Sequence, residues 1–155
     1  MSDHERTVTV RETGEGTYTQ EVKTGAHTLT TDEPADIGGL DKGPNPYDML
    51  LGALGSCTSM TIRMYANQKK WPLDRVTVKL THHKEAGADG IKRDVITRDI
   101  TLEGNLDAAQ RQRLLEIANK CPIHRTLENK PEIISKLAET PAAPGGTPAQ
   151  KPPQP

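Results

Sequence analysis

The chain has 155 residues, with 20 basic against 21 acidic side chains and a formal net charge of −1, a length that suits one domain with a core of its own. It has no basic run to follow a phosphate backbone, only 3% aromatics and no phenylalanine, so neither nucleic-acid tracking nor base stacking is expected. The polar start MSDHERTVTV and the lack of any stretch near the roughly 20 apolar residues that span a bilayer argue against a secretory signal or a membrane partner, and the sequence reads as cytoplasmic.

Residues 6–12 (RTVTVRE) and 17–23 (TYTQEVK) alternate apolar with polar around Gly14 and Gly16, the pattern of a hairpin, and HTLTT follows the turn at Gly25 as a third strand. The Gly-, Pro- and Asp-rich DEPADIGGLDKGPNP reads as an ordered loop. From Pro46 to about Lys69 an apolar run without a strong breaker predicts a helix buried on most sides. Asn45 is placed to cap it, Pro46 fits the first helical position, and Asp48 at the third completes a capping-box pattern. Gly52, Ala53, Gly55 and Ser56 leave a thin flank on this helix, and Trp71 and Pro72 end it.

Residues 74–85 and 91–103 alternate with period two around AGADG and predict a second, long-armed hairpin. Residues 107–120 predict a second helix, capped by Asp107 and Gln110, with Leu114, Leu115, Ala118 and Cys121 on its apolar face. Ile133, Ser135 and Leu137 alternate within 131–139, which points to a last strand. From Thr140 onward TPAAPGGTPAQKPPQP has too little apolar surface to order itself. The expected organisation is one α+β domain over 1–139 and a disordered proline-rich tail over 140–155.

The two cysteines, Cys57 and Cys121, are read in a reducing compartment as free, catalytic or metal-bound rather than as a permanent bridge. Cys57 falls about two and a half turns into the first helix, with Thr61 and Met64 on its face. Cys121 precedes Pro122, the natural first residue of a short helix IHRTLE, so its sulfur sits where unpaired N–H groups favour a thiolate. His124, three residues on, is placed to bond the same sulfur. Three uses fit this pattern: core filling, reversible disulfide chemistry of the kind that reduces peroxides, and a zinc site. For zinc, Cys121 and His124 have C-x-x-H spacing, but His82 and His83, as strand neighbours, point to opposite faces.

GPNPYDMLLGALGSCTSMTIRMYA (43–66) and NKCPIHRTLE (119–128), in that order, resemble the OsmC/Ohr family, particularly its OsmC-like branch, and the likeness in element order extends over about residues 6–139. The resemblance implies an intertwined homodimer, with antiparallel sheets around two main helices and active sites at the dimer interface. It implies that Cys57 is the peroxidatic thiol and Cys121 the resolving one, that organic hydroperoxides are the substrates, and that a small dithiol or a lipoylated protein supplies electrons. No metal or organic cofactor is expected.

Two features depart from the peroxide-reducing members. The glutamate they carry after the NP pair is here Tyr47, with Asp48 next. Asp48 lies about 900° of helical turn from Cys57, on the opposite face, so it is placed either to support the thiol across a dimer or to cap the helix. The arginine those members bring from the early strands has no counterpart, since Arg6 and Arg11 lie on the first strand and the second has none. Thiolate activation is then left to the helix terminus, Arg63, Arg125 or His124, with Tyr47 either lining the pocket or packing. The competing expectation is an OsmC-like binding protein whose dimer-interface pocket holds an apolar small molecule and whose thiols are spectators.

Overall fold

The computed structural model describes residues 5–138, so the predicted tail over 140–155 lies outside the described residues. Two antiparallel sheets and three helices follow one another as β1 (Thr9–Glu12), β2 (Gln20–Thr24), β3 (His27–Thr31), α1 (Pro46–Lys69), β4 (Leu73–Ala86), β5 (Lys92–Gly104), α2 (Ala108–Ala118) and α3 (Pro122–Glu128). No helix among the described residues is long and apolar enough to cross a membrane.

The first hairpin forms as its alternation requires, with Val10 opposite Val22 and Val22 opposite Leu29 in the β1–β2–β3 sheet. Its strands are shorter than the alternating runs: residues 6–8 and 17–19 stay outside the ladder. Thr19 instead turns inward to the loop that follows β3. That loop is built on one buried carboxylate. Asp32, 2% exposed, accepts the Thr19 hydroxyl (2.9 Å) and the N–H groups of Glu33 (2.8 Å), Leu40 (3.3 Å) and Lys42 (3.4 Å). A Cβ on Gly39 or Gly43 would run into the carbonyl oxygens of Glu33 and Thr30, so the loop folds back on its own backbone there.

The loop delivers the chain to Asn45, whose side chain accepts from the Asp48 N–H (2.9 Å) while the Asp48 carboxylate accepts from the Asn45 N–H (3.2 Å). This reciprocal cap starts α1 at the predicted residue. The burial of α1 differs from expectation. Leu54, Gly55, Cys57, Thr58, Ile62 and Ala66 are buried on one face, whereas Met60 and Met64 stand 62% and 63% exposed, because none of the described elements covers the other side.

β4 and β5 pair in register from Arg75 opposite Glu103 to Ala86 opposite Lys92. Their inward positions, Val76, Val78, Leu80 and His82 against Ile96, Arg98, Ile100 and Leu102, form the surface on which α1 lies. The thin flank predicted at Gly55 meets a side chain rather than a backbone, since Leu80 reaches to where a Cβ would stand. The main core joins Ile62, Ala66, Leu73, Leu106, Leu114 and Ala118.

Helix α2 turns Leu114, Ile117 and Ala118 inward and leaves Leu115 47% exposed, so its apolar face is rotated from the predicted one. It also stops at Ala118, and Cys121 begins α3 instead of ending α2. The predicted last strand does not form. Residues 131–138 have no regular structure, with Ile133, Ile134 and Leu137 exposed. Alternation alone supplies no hydrogen-bonding neighbour, and no described strand of this chain pairs with the segment.

Candidate functional site

Three elements bring the candidate residues together. α1 carries Leu54, Cys57 and Thr58, the α2–α3 corner carries Cys121 and His124, and β5 carries Arg98. Both cysteines are free and buried, Cys57 8% and Cys121 0% exposed. With Leu54 they share an apolar shell of Leu80, Ile96, Ile123 and Leu127. Met64, predicted beside Cys57, is not part of it; Thr61 is nearby and donates to the Cys57 carbonyl at 2.7 Å.

The two thiols share one buried cluster and have opposite electrostatics. Burial first, and Cys121 second, push the Cys57 thiol up from its ordinary value, outweighing the Ile123 N–H and the Thr61 hydroxyl. Burial also pushes at Cys121, but there the Cys57 thiol, the His124 N–H, the Thr58 hydroxyl and the Ile123 N–H together bring it below its ordinary value. Cys121 is the N-cap of α3, with Pro122 at the first helical position, and its side chain makes no capping hydrogen bond.

Arg98 organises the surroundings of Cys121. One terminal nitrogen donates to the Thr58 hydroxyl (2.9 Å) and the Ala118 carbonyl (3.2 Å), and the other to the Asn119 side chain (2.9 Å) and to His124 Nδ1 (3.0 Å). A guanidinium has only donors. His124 therefore accepts at Nδ1 and carries its proton on Nε2, which faces the Glu128 carboxylate at 3.1 Å. With Arg98 on its lone pair, the Thr58 hydroxyl gives its single proton to the Leu54 carbonyl (2.8 Å).

Beside this cluster opens a cavity of about 520 Å³. Its floor is apolar, from Leu50, Leu54, Ile96 and Leu127, and three of these also line the shell around the thiols. Its rim is polar, including Arg98, His124 and Glu128 on one side and Tyr47, His82 and Asp94 on the other. Tyr47 stacks on His82, ring centres 4.5 Å apart and planes 14° apart, while His82 Nε2 meets the Asp94 carboxylate at 2.8 Å.

Of the residues singled out in the sequence, Cys57, Cys121, His124 and Tyr47 converge here. Asp48 is engaged in the α1 cap. Arg125 is exposed on α3, and Arg63 binds the carbonyls of Leu73 and Asp74. The His124 ring turns to Arg98 rather than to the sulfur. His83 faces away from His82, towards Glu85. Among the described residues no group of three or more His, Cys, Asp or Glu side chains is arranged to hold a metal ion. Sequence reasoning missed Arg98 and Thr58. Arg98 had a signal: in DVITRDITLE it takes an inward place between Ile96 and Ile100, where period-two alternation calls for an apolar residue.

A family model described as OsmC-like protein matches residues 39–136, a span that includes both cysteines and Arg98. The chain belongs to the OsmC-like protein family. Solved structures share its fold. An OsmC-like protein from Mycoplasma pneumoniae superposes with a TM-score of 0.69 at 18% identity, covering 83% of this chain and 91% of that one. An organic hydroperoxide resistance protein from Elizabethkingia anophelis gives 0.64 at 16%, covering 83% and 91%. The organic hydroperoxide resistance protein OhrB of Bacillus subtilis gives 0.59 at 18%, covering 83% and 94%. At such identities the likeness is one of fold. Compared by sequence with curated proteins, the chain has no match.

Proposed function

We propose that this OsmC-like protein is a thiol peroxidase that reduces organic hydroperoxides, with Cys57 as the peroxidatic thiol and Cys121 as the resolving one. The observation that carries the reading is the meeting of two free, buried thiols in one apolar shell beside a cavity with an apolar floor. The Cys57 sulfur attacks the outer peroxide oxygen, the O–O bond breaks and an alcohol leaves, and Cys57 becomes a sulfenic acid. Cys121 displaces its hydroxyl as water, forming a disulfide before further oxidation. A small dithiol or a lipoylated protein then reduces the disulfide in the cytoplasm. Leu50, Leu54, Ile96 and Leu127 offer an organic tail a surface that hydrogen peroxide does not use. The names of the Elizabethkingia and Bacillus neighbours agree with this substrate class.

The working unit in this reading is a homodimer. Its support is the apolar surface the single chain leaves open: Met60 and Met64 on α1, and Ile133, Ile134 and Leu137 after α3. The β1–β2–β3 sheet likewise makes its main contacts within itself.

The test is intact mass and free-thiol count of the reduced protein before and after one equivalent of an organic hydroperoxide, with hydrogen peroxide in parallel. Loss of both thiols with a mass lower by two hydrogens, faster with the organic peroxide, is expected, and Cys57→Ser abolishes turnover. Survival of both thiols would turn the reading to an apolar-ligand binding protein.

A further inference from the structure

We propose that the cavity beside the thiols takes an organic monoanion, a ligand with one carboxylate head on a short apolar body, and that Arg98 holds the head. The inference rests on the reading of this cavity as the site of the organic substrate and names the chemical class that the cavity selects.

The argument starts from the charge on Arg98. Its place on β5 is an inward one, between Ile96 and Ile100, and its side chain is half-buried. Both terminal nitrogens spend their N–H groups on neutral acceptors, the Thr58 hydroxyl and the Ala118 carbonyl on one side, the Asn119 side-chain oxygen and His124 Nδ1 on the other. Among the described residues no carboxylate pairs with this guanidinium, and its Nε–H has no acceptor. Neutral dipoles satisfy hydrogen bonds without cancelling a charge, and a cation drawn into a protein without an anion is costly. The uncancelled charge lines the cavity.

The acidic groups of the cavity do not supply the missing anion. Asp94, on the far side, bonds His82 and has Lys84 at 3.9 Å, and Glu128 faces His124 Nε2. Their side chains are 56% and 66% exposed, so water screens them. Exposure thus separates the signs, with the positive charge inside and the negative charges at the rim. A single negative charge on the inner end of a ligand meets Arg98, whereas a second one at its outer end meets Asp94 and Glu128.

The body of the ligand follows from the floor. Leu50, Leu54, Ile96 and Leu127 give it an aliphatic surface, and Ile96 lies on the same strand face as Arg98. The volume of about 520 Å³ lies in the ordinary range of small-molecule sites. A small inorganic anion would leave the floor unused, and an uncharged apolar molecule would leave the guanidinium unpaired. Because Arg98 is tied to α1 through Thr58 and to the α2–α3 corner through Ala118, Asn119 and His124, the cation is fixed before a ligand arrives, which lowers the cost of ordering it on binding.

The experiment is calorimetric titration of the reduced wild type with octanoate, octanol and octylammonium, three probes of one length that differ in the head. Octanoate is expected to bind about tenfold tighter than octanol, the scale of a hydrogen bond to a charged group, and octylammonium to bind weakest. Methyl NMR locates the probe, with octanoate shifting the Leu50, Leu54, Ile96 and Leu127 signals. Arg98→Gln, checked for folding by circular dichroism, is expected to bring octanoate down to the affinity of octanol, and Arg98→Lys to recover part of the difference. Equal binding of octanoate and octanol by the wild type overturns the inference without any variant, as do methyl shifts confined to residues elsewhere. A folded Arg98→Gln that binds octanoate as the wild type does removes Arg98 as the anchor. Octanoate binding in a protein whose thiols survive hydroperoxide sinks the peroxidase reading alone, and hydroperoxide turnover without octanoate binding sinks this inference alone.

Discussion

A single carboxylate shows how one residue sets both a shape and a pH response. Burial pushes the Asp32 carboxyl up, but the Thr19 hydroxyl and the N–H groups of Glu33, Lys42 and Leu40 outweigh it and hold it below its ordinary value. A carboxyl whose value is depressed on folding stabilises the fold above its unfolded value and loses that contribution as pH falls through the folded one. Thermal melts from neutral pH into the acid range are expected to show wild type losing stability through the carboxylate range. Asp32→Asn should be less stable at neutral pH and show a flatter acid decline, and equal slopes would remove Asp32 as the cause. Neither Asp32 nor Arg98 was found from the sequence, for the same physical reason. A buried polar group is recognised by its partners, and those of Arg98 lie at positions 58, 118, 119 and 124, a convergence that only the folded chain makes. Cys57 and Cys121 were legible because few residue types carry such chemistry and because two motifs framed them.

At the scale of elements, local signals worked wherever both ends of an element were marked. The capping box and Pro46 fixed the start of α1, and alternation fixed the arms of β4 and β5 to within a residue. They worked less well where a choice depended on the neighbour. Leu114 and Leu115 are adjacent and chemically identical, and only the packing of α2 on α1 decides that Leu114 is fully buried while Leu115 is half exposed. Leu114→Ala is expected to cost about 2–5 kcal/mol by loss of transfer energy and the cavity left behind. Leu115→Ala is expected to stay within about 0.5 kcal/mol, as surface substitutions do. Chemical denaturation measures both, and comparable losses would mean that α2 sits in another rotation. The segment over 131–138 failed for a related reason, since a strand is a relation between two segments and its alternating pattern describes only one.

The molecule as a whole leaves more apolar surface open than one chain of this length has reason to. Met60 and Met64 project from α1 opposite its buried face, and Ile133, Ile134 and Leu137 project beyond α3. Exposed side chains contribute little to the fold of the chain that carries them, so charge placed on them discriminates between an open surface and a covered one. In the dimeric reading, sedimentation gives twice the chain mass, and Met60→Lys with Met64→Lys, or Ile133→Lys with Leu137→Lys, yields folded single chains. The thiol cluster is assembled from α1, β5 and the α2–α3 corner of one chain, so its packing belongs to the monomer. Separated chains are then expected to keep the first oxidation step and to lose selectivity for organic over hydrogen peroxide only if the partner completes the cavity beside Leu50 and Tyr47. A wild type that sediments as a single chain at the concentrations of the assay would remove the partner from the mechanism, leaving the thiol cluster of one chain as the whole reacting apparatus.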